Sequence, residues 1–226
     1  MFVLDFESDV INVPPQTLRP VILPTMADKV IVIGTVGGVA SALADGLGAA
    51  LGEPDTLSAS DVNSVVITVG TEPAPRLQDT AAVSSAEWDI RVGETMWKAL
   101  VTLQSAHSAL ASRGGRIVLV VPTVGIAGAA GLVPYTTAVE GIRAMAKSAA
   151  RQWGRDGVVV NLIAAPIRVF AEALSESEGH LTNAAVADDP TLVHSLVETA
   201  KFLLRSDVAH VAGATVVVDG GSVMLP

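Results

Sequence analysis

Residues 115–166 read GRIVLVVPTVGIAGAAGLVPYTTAVEGIRAMAKSAARQWGRDGVVVNLIAAP, and their order decides the fold. Arg116 to Val121 is an almost unbroken β-branched run, the pattern of a parallel strand covered on both faces. A helix follows, with Val139, Ile142, Met145, Ala146, Ala149 and Trp153 spaced three or four apart on one stripe. Gly154 stands where a left-handed C-terminal cap is expected, and Val158 to Ile163 is a second apolar β run. Strand, helix, strand in this order is a right-handed parallel crossover.

Working outward, Lys29 to Gly34 is a first core strand that leads into GTVGGVASALADGLGAAL. There Val39, Leu43, Leu47 and Leu51 share one helical face. Asn63 to Gly70 is the next strand, after a polar stretch, LGEPDTLSASDVN, too short to carry further strands and helices. Ser84-Ser85-Ala86-Glu87 is a capping box opening a helix to about Ala111, with Trp88, Val92, Met96, Ala99, Leu103, Ala106 and Leu110 as its apolar stripe. Trp97 lies nine residues beyond Trp88, about half a turn round an ideal helix, and so faces away from the core. Asp189-Pro190 starts the last helix, and the chain closes on a β-prone run ending in Asp219-Gly220-Gly221.

The chain resembles the short-chain dehydrogenase/reductase family from about Lys29 to Gly221 in order, spacing and loop lengths. The resemblance implies a Rossmann-like, doubly wound parallel sheet, shortened because the family's second and third strands have no counterpart between Gly34 and Gly70. It also implies where chemistry would sit. The family's serine position is Pro122, its tyrosine is Tyr135, its lysine is Val139 and its asparagine is Thr95. Of its Gly-x-x-x-Gly-x-Gly fingerprint, Gly34 and Gly38 remain and the third glycine is Ala40. Phe170 replaces a threonine that contacts the nicotinamide.

The consequence follows from elementary chemistry. A phenol titrates near pH 10 and needs a neighbouring cation to act near neutrality. Val139 offers no charge, and Pro122 has neither a hydroxyl nor a backbone N–H. Thr123 is one residue off and could replace the serine only if the strand end were bulged. Tyr135 is therefore expected to be structural or vestigial, and Thr95 to be a packing residue.

Composition narrows the rest. At 226 residues, half of them apolar, there is ample material for one α/β domain. A formal charge of −9 argues against nucleic acid and anionic membrane surfaces as partners. Four scattered histidines and no cysteine suggest neither a metal site nor disulfides. The first residues do not read as a signal peptide, and a cytoplasmic protein is expected. Residues 1–28, broken by four prolines yet rich in aliphatics, read as an extended N-terminal arm, expected to cover the edge that the 29–34 strand would otherwise expose. Residues 29–226 form a single domain.

Together these readings give a non-catalytic subunit that assembles with a catalytically active homologue, similar in kind to inactive halves and subunits of ketoacyl reductases and acyl-CoA dehydrogenases of the family. Its partner would act on acyl-CoA or acyl-carrier thioesters. No cofactor of its own is expected. The partner surface is expected on the helices 84–111 and 135–153, through Trp97, Val101, Ile142 and Trp153. Two alternatives stand beside it. One is an active oxidoreductase with an altered site, which would bind NAD or NADP; the other is a homo-oligomeric binding or regulatory module.

Overall fold

The computed structural model describes residues 29–34, 38–59, 61–69, 75–178, 184–187 and 189–224. The N-terminal arm, residues 1–28, lies outside them. Six strands among the described residues form one parallel sheet: β1 (Val30–Ile33), β2 (Ala50–Gly52), β3 (Ser64–Thr68), β4 (Gly115–Pro122), β5 (Val158–Ala165) and β6 (Thr215–Val217). Their spatial order is β2-β1-β3-β4-β5-β6.

The four inner strands, β1, β3, β4 and β5, are buried on both faces, as their near-continuous apolar runs require. Alternation sends Ile31, Ile33, Ile117, Leu119 and Val121 to one core and Val32, Val118 and Val120 to the other. The first core is closed by α3 (Thr95–Leu110) and α5 (Val133–Trp153), the second by α1 (Gly38–Leu47) and α6 (Asp189–Leu204). This is the doubly wound Rossmann-like architecture expected from the crossover.

The region after β1 departs from the sequence reading. No strand was expected between Gly34 and Gly70 apart from that at 63–70, which left β1 at the edge, but a short β2 pairs with β1 in parallel, Ile31 opposite Ala50. Gly48 adopts φ +61° and stops α1 at Leu47, so Leu51 belongs to a strand rather than to the helical face. One three-residue strand thus occupies the space expected to be empty. Among the described residues the edge strand is β2, not β1, and the reason given for the arm no longer applies to β1.

The long helix before β4 is not uniform. The expected capping box is present: Ser84 Oγ accepts from the Glu87 N–H, and the Glu87 carboxylate accepts from the Ser84 N–H. It opens α2 (Ser85–Trp88), and a π-helical segment, Asp89–Glu94, then joins α2 to α3. A π turn takes up an extra residue, which rotates the residues before it relative to those after it. Val92, Ala99, Leu103, Ala106 and Leu110 are buried as the stripe required, but Trp88 is 39% exposed, not core-facing.

Two polar side chains secure the C-terminal passage. Buried Asn161 in β5 donates from Nδ2 to the Val211 carbonyl (2.6 Å) and accepts at Oδ1 from the Ala214 N–H (3.0 Å). Buried Asp219 accepts from the N–H groups of Gly221, Ser222 and Val223 at 2.7–3.2 Å. The Asp-Gly-Gly signature therefore folds its own turn around a carboxylate.

Candidate functional site

In a parallel sheet of this kind, ligands meet the chain at the carboxyl ends of the strands. Here those ends bring together Gly34 after β1, Thr68 in β3, Pro122 and Thr123 at the end of β4, and the 166–170 turn after β5. The start of α5 adds Tyr135 and Val139.

Tyr135 lies on the first turn of α5, with Pro134 just inside the helix, where its missing N–H costs nothing. The tyrosine is only 6% exposed and packs in the α3/α5 core. Burial alone pushes its phenol well above the ordinary tyrosine value. A proton donor or base of the family's kind needs the opposite shift. Val139, one turn on, is fully buried. Above it sits the short helix α4 (Val124–Ala127), whose Gly125 allows direct contact: a Cβ at that position would lie 2.5 Å from Val139 Cγ1. The family's lysine position is thus a packing contact in the floor beneath α4.

Pro122 pairs with Ala165 in unbroken register, so no bulge turns Thr123 to the proline's face. Thr123 instead leaves the strand: its N–H donates to the Ala165 carbonyl (2.8 Å), and its own carbonyl accepts from Ile126 and Ala127. Thr95 is buried where the π segment meets α3.

The glycine positions were tested for a dinucleotide's phosphates. A Cβ on Gly34 would lie 1.9 Å from Thr68 Oγ1, so the space beside this glycine belongs to the neighbouring strand's side chain. A Cβ on Gly38, at φ +51°, would stand 3.3 Å from the Val169 carbonyl, so the start of α1 abuts the 166–170 turn. Beside this contact is a pocket of about 250 Å³ lined by Gly38, Val39, Ala42, Leu43, Val169 and three aliphatic residues of α6. Its lining has no charge and no side-chain hydrogen-bond donor. Pyrophosphate binding requires open backbone N–H groups and counter-charge. The lining of this pocket does not fit that group; residues 35–37 of the glycine-rich turn lie outside the described residues. Phe170 packs with this α1/α6 side of the sheet rather than standing free in a cleft.

The four residues expected at a partner surface are dispersed. Trp97 is 63% exposed on the outside of α3, and Val101, one turn on, is half-buried. Ile142 is fully buried on the sheet-facing stripe of α5; it belongs to the chain's own core and is removed from the partner surface. Trp153 is half-buried and stacks on His107, ring centroids 4.4 Å apart. Exposed Ile90 and Trp88 lie on the same long helical segment as Trp97 and were missed because the π segment alters the periodicity. No helix among the described residues is long and apolar enough to cross a membrane, and none of their His, Cys, Asp and Glu side chains cluster as metal ligands.

Comparison with known proteins agrees with this architecture. The structure is similar to a gluconate 5-dehydrogenase from Burkholderia cenocepacia crystallised with NADP and tartrate. The TM-score is 0.66 at 18% identity, covering 86% of this chain and 94% of that one, a likeness of fold. In sequence, the chain is 27% identical over 150 residues to a rat (Rattus norvegicus) (3R)-3-hydroxyacyl-CoA dehydrogenase, covering 63% of this chain and 57% of the relative. It is 31% identical over 147 residues to the 3-oxoacyl-(acyl-carrier-protein) reductase FabG of Vibrio cholerae, covering 62% and 59%. With the dehydrogenase subunit BbsD of Thauera aromatica it shares 25% over 164 residues, covering 71% and 64%. The chain thus spans about three fifths of the length of these curated relatives. Residues 56–223 match the family model described as enoyl-(acyl carrier protein) reductase, and the chain belongs to the short-chain dehydrogenase/reductase family of oxidoreductases.

Proposed function

We propose that this chain is a non-catalytic member of its family that supports a catalytically active homologue in a mixed assembly. The observation that carries the reading is the burial of Tyr135 in the α3/α5 core, which shifts its phenol away from reactivity, while Pro122 and Val139 stand in the places of the family's serine and lysine. General acid–base catalysis needs a group poised near the working pH and reachable by substrate. Neither condition is met here. The misfit of the Gly34 and Gly38 positions to a dinucleotide supports the same reading. That the Thauera relative is named as a subunit supports a mixed assembly, and the names of the rat and Vibrio relatives point to acyl-CoA or acyl-carrier thioesters as the partner's substrates.

The second reading is an active NAD(P)-dependent oxidoreductase with an altered site. It is favoured by the same relatives, which are named as dehydrogenases and reductases. Calorimetric titration of the full chain with NADH and NADPH separates the two. The non-catalytic reading expects no saturable heat. A dissociation constant below about 100 μM, equivalent to some 5.5 kcal/mol of binding, establishes the second reading instead.

A further inference from the structure

At the opposite end of the sheet from Tyr135, the loops entering β3, β4 and β5 border an open-sided cavity of about 480 Å³. Asn63, Ser64, Arg113, Arg116, Asp156 and Ser206 are among its lining residues. Arg116 is the second residue of β4 and is only 9% exposed. Its guanidinium donates from Nε to the Arg205 carbonyl (3.1 Å), from Nη1 to Gly115 (3.0 Å) and from Nη2 to Ser206 (2.8 Å). These bonds satisfy three of its five N–H groups; the Arg205 and Ser206 carbonyls, at the C-terminal end of α6, supply only the partial negative charge of a helix terminus, and none of the three acceptors is a carboxylate.

Among the described residues no carboxylate stands within ion-pair distance of Arg116. The carboxylates nearby are engaged elsewhere. Asp61 is held by Lys29 at 2.6 Å and by Arg113, and Asp156 faces His107 Nε2 at 3.2 Å. The charged lining groups, Arg113, Arg116 and Asp156, sum to one positive charge on a chain whose formal charge is −9. Buried charges are normally paired, because leaving one without a counter-charge is costly. Burial does act on Arg116, depressing its guanidinium below the ordinary arginine value, yet not enough to discharge it.

We propose that this cavity binds a compact oxyanion, a carboxylate or a phosphate, as the counter-charge of Arg116. A guanidinium with two free N–H groups matches the planar or tetrahedral oxygens of either. The site is independent of the dinucleotide question, because it lies at the amino ends of the strands.

The experiment is the melting temperature of the full chain in inorganic phosphate, in acetate and in chloride at matched ionic strength. Two further chains, Ser206→Glu and Ser206→Gln, are measured alongside. Phosphate or acetate is expected to raise the wild-type melting temperature saturably over chloride, by about 3 to 6 °C at ten times the dissociation constant. A carboxylate at position 206 supplies the counter-charge from within. Ser206→Glu should lose the response, and Ser206→Gln should keep it. Phosphate but not acetate acting on the wild type identifies a phosphate site, and both acting identifies a general oxyanion site. The proposal is overturned if neither anion exceeds chloride, or if Ser206→Glu responds as fully as the wild type.

Discussion

Thr68 Oγ1 occupies the space beside Gly34, 1.9 Å from where a Cβ would be, and lies 3.4 Å from the Ile33 carbonyl, within hydrogen-bond reach. The first glycine of the fingerprint is therefore needed for reasons internal to the sheet. It lets the ends of β1 and β3 close on each other through the threonine. A glycine at a strand-to-helix turn can mean a cradle for phosphate or a notch for a neighbour, and here the notch is filled.

Gly34→Ala should then destabilise the chain with no nucleotide present, by about 1–3 kcal/mol, the range for overpacking a filled site. In a Thr68→Ala background the same substitution should cost distinctly less. Urea denaturation of the four chains measures this coupling. Equal costs in both backgrounds would mean that Gly34 is required for its backbone and not for the threonine.

The scaffold was legible because its signals are periodic. The runs at 116–121 and 158–163, the capping box at Ser84–Glu87 and the α5 stripe each act over several residues, and each is where the sequence put it; the left-handed cap is not, since Gly154 stays right-handed (φ −56°) and the turn falls at Gly157 (φ +74°). Two things were hidden. A three-residue strand is too short to show alternation, and β2 exists because Gly48 stops α1, a conformation that sequence allows at any glycine. The π segment at Asp89–Glu94 changes the angular step per residue, so a count at 3.6 placed Trp88 inward and set Trp97 half a turn from it. At the site the substitutions themselves were legible at Pro122 and Val139. The burial of Tyr135 was not, because it is set by tertiary packing in the α3/α5 core.

Asn161 tests the C-terminal passage. Its side chain satisfies the Val211 carbonyl and the Ala214 N–H from within a strand buried along its whole length. Asn161→Ala removes both partners and leaves those backbone groups unpaired, which costs about 1–3 kcal/mol for each group that water does not reach. A loss of 2 kcal/mol or more in urea denaturation is expected, with faster hydrogen exchange at Ala214. A loss under 0.5 kcal/mol would show that the passage is held by β6 pairing alone.

Trp97 tests the assembly. At 63% exposure its side chain contributes little to the chain's own core, so Trp97→Glu should leave circular dichroism and melting temperature nearly unchanged. If the outer side of α3 meets a partner, the same change buries an unpaired carboxylate in that contact and should weaken association by at least a hundredfold. Sedimentation of the mixed assembly, native and substituted, reads it directly. Undiminished association would place the partner on another face.

Tyr135 is the only tyrosine of the chain, so its ionisation can be followed optically without assignment. A tyrosine activated by a neighbouring cation titrates below its ordinary value near 10. Burial drives this one the other way. The folded phenol should therefore stay protonated as pH rises past 10, while the unfolded chain gives up its proton there. Below the unfolded value both states hold the proton and the group does not affect stability differentially. Above it only the unfolded state ionises, so stability should fall by up to about 1.4 kcal/mol per pH unit until the folded value is reached or the chain unfolds. Tyr135→Phe should remove that alkaline loss and leave stability at pH 7 within about 1 kcal/mol, since the ring is kept and only the hydroxyl is removed. The difference absorbance near 295 nm, recorded with circular dichroism from pH 7 to 12, is the measurement. Ionisation rising only with unfolding supports a vestigial tyrosine. A reversible titration in the folded chain below pH 10 would show a solvated, cation-assisted phenol, and with it an active site that the present packing does not provide.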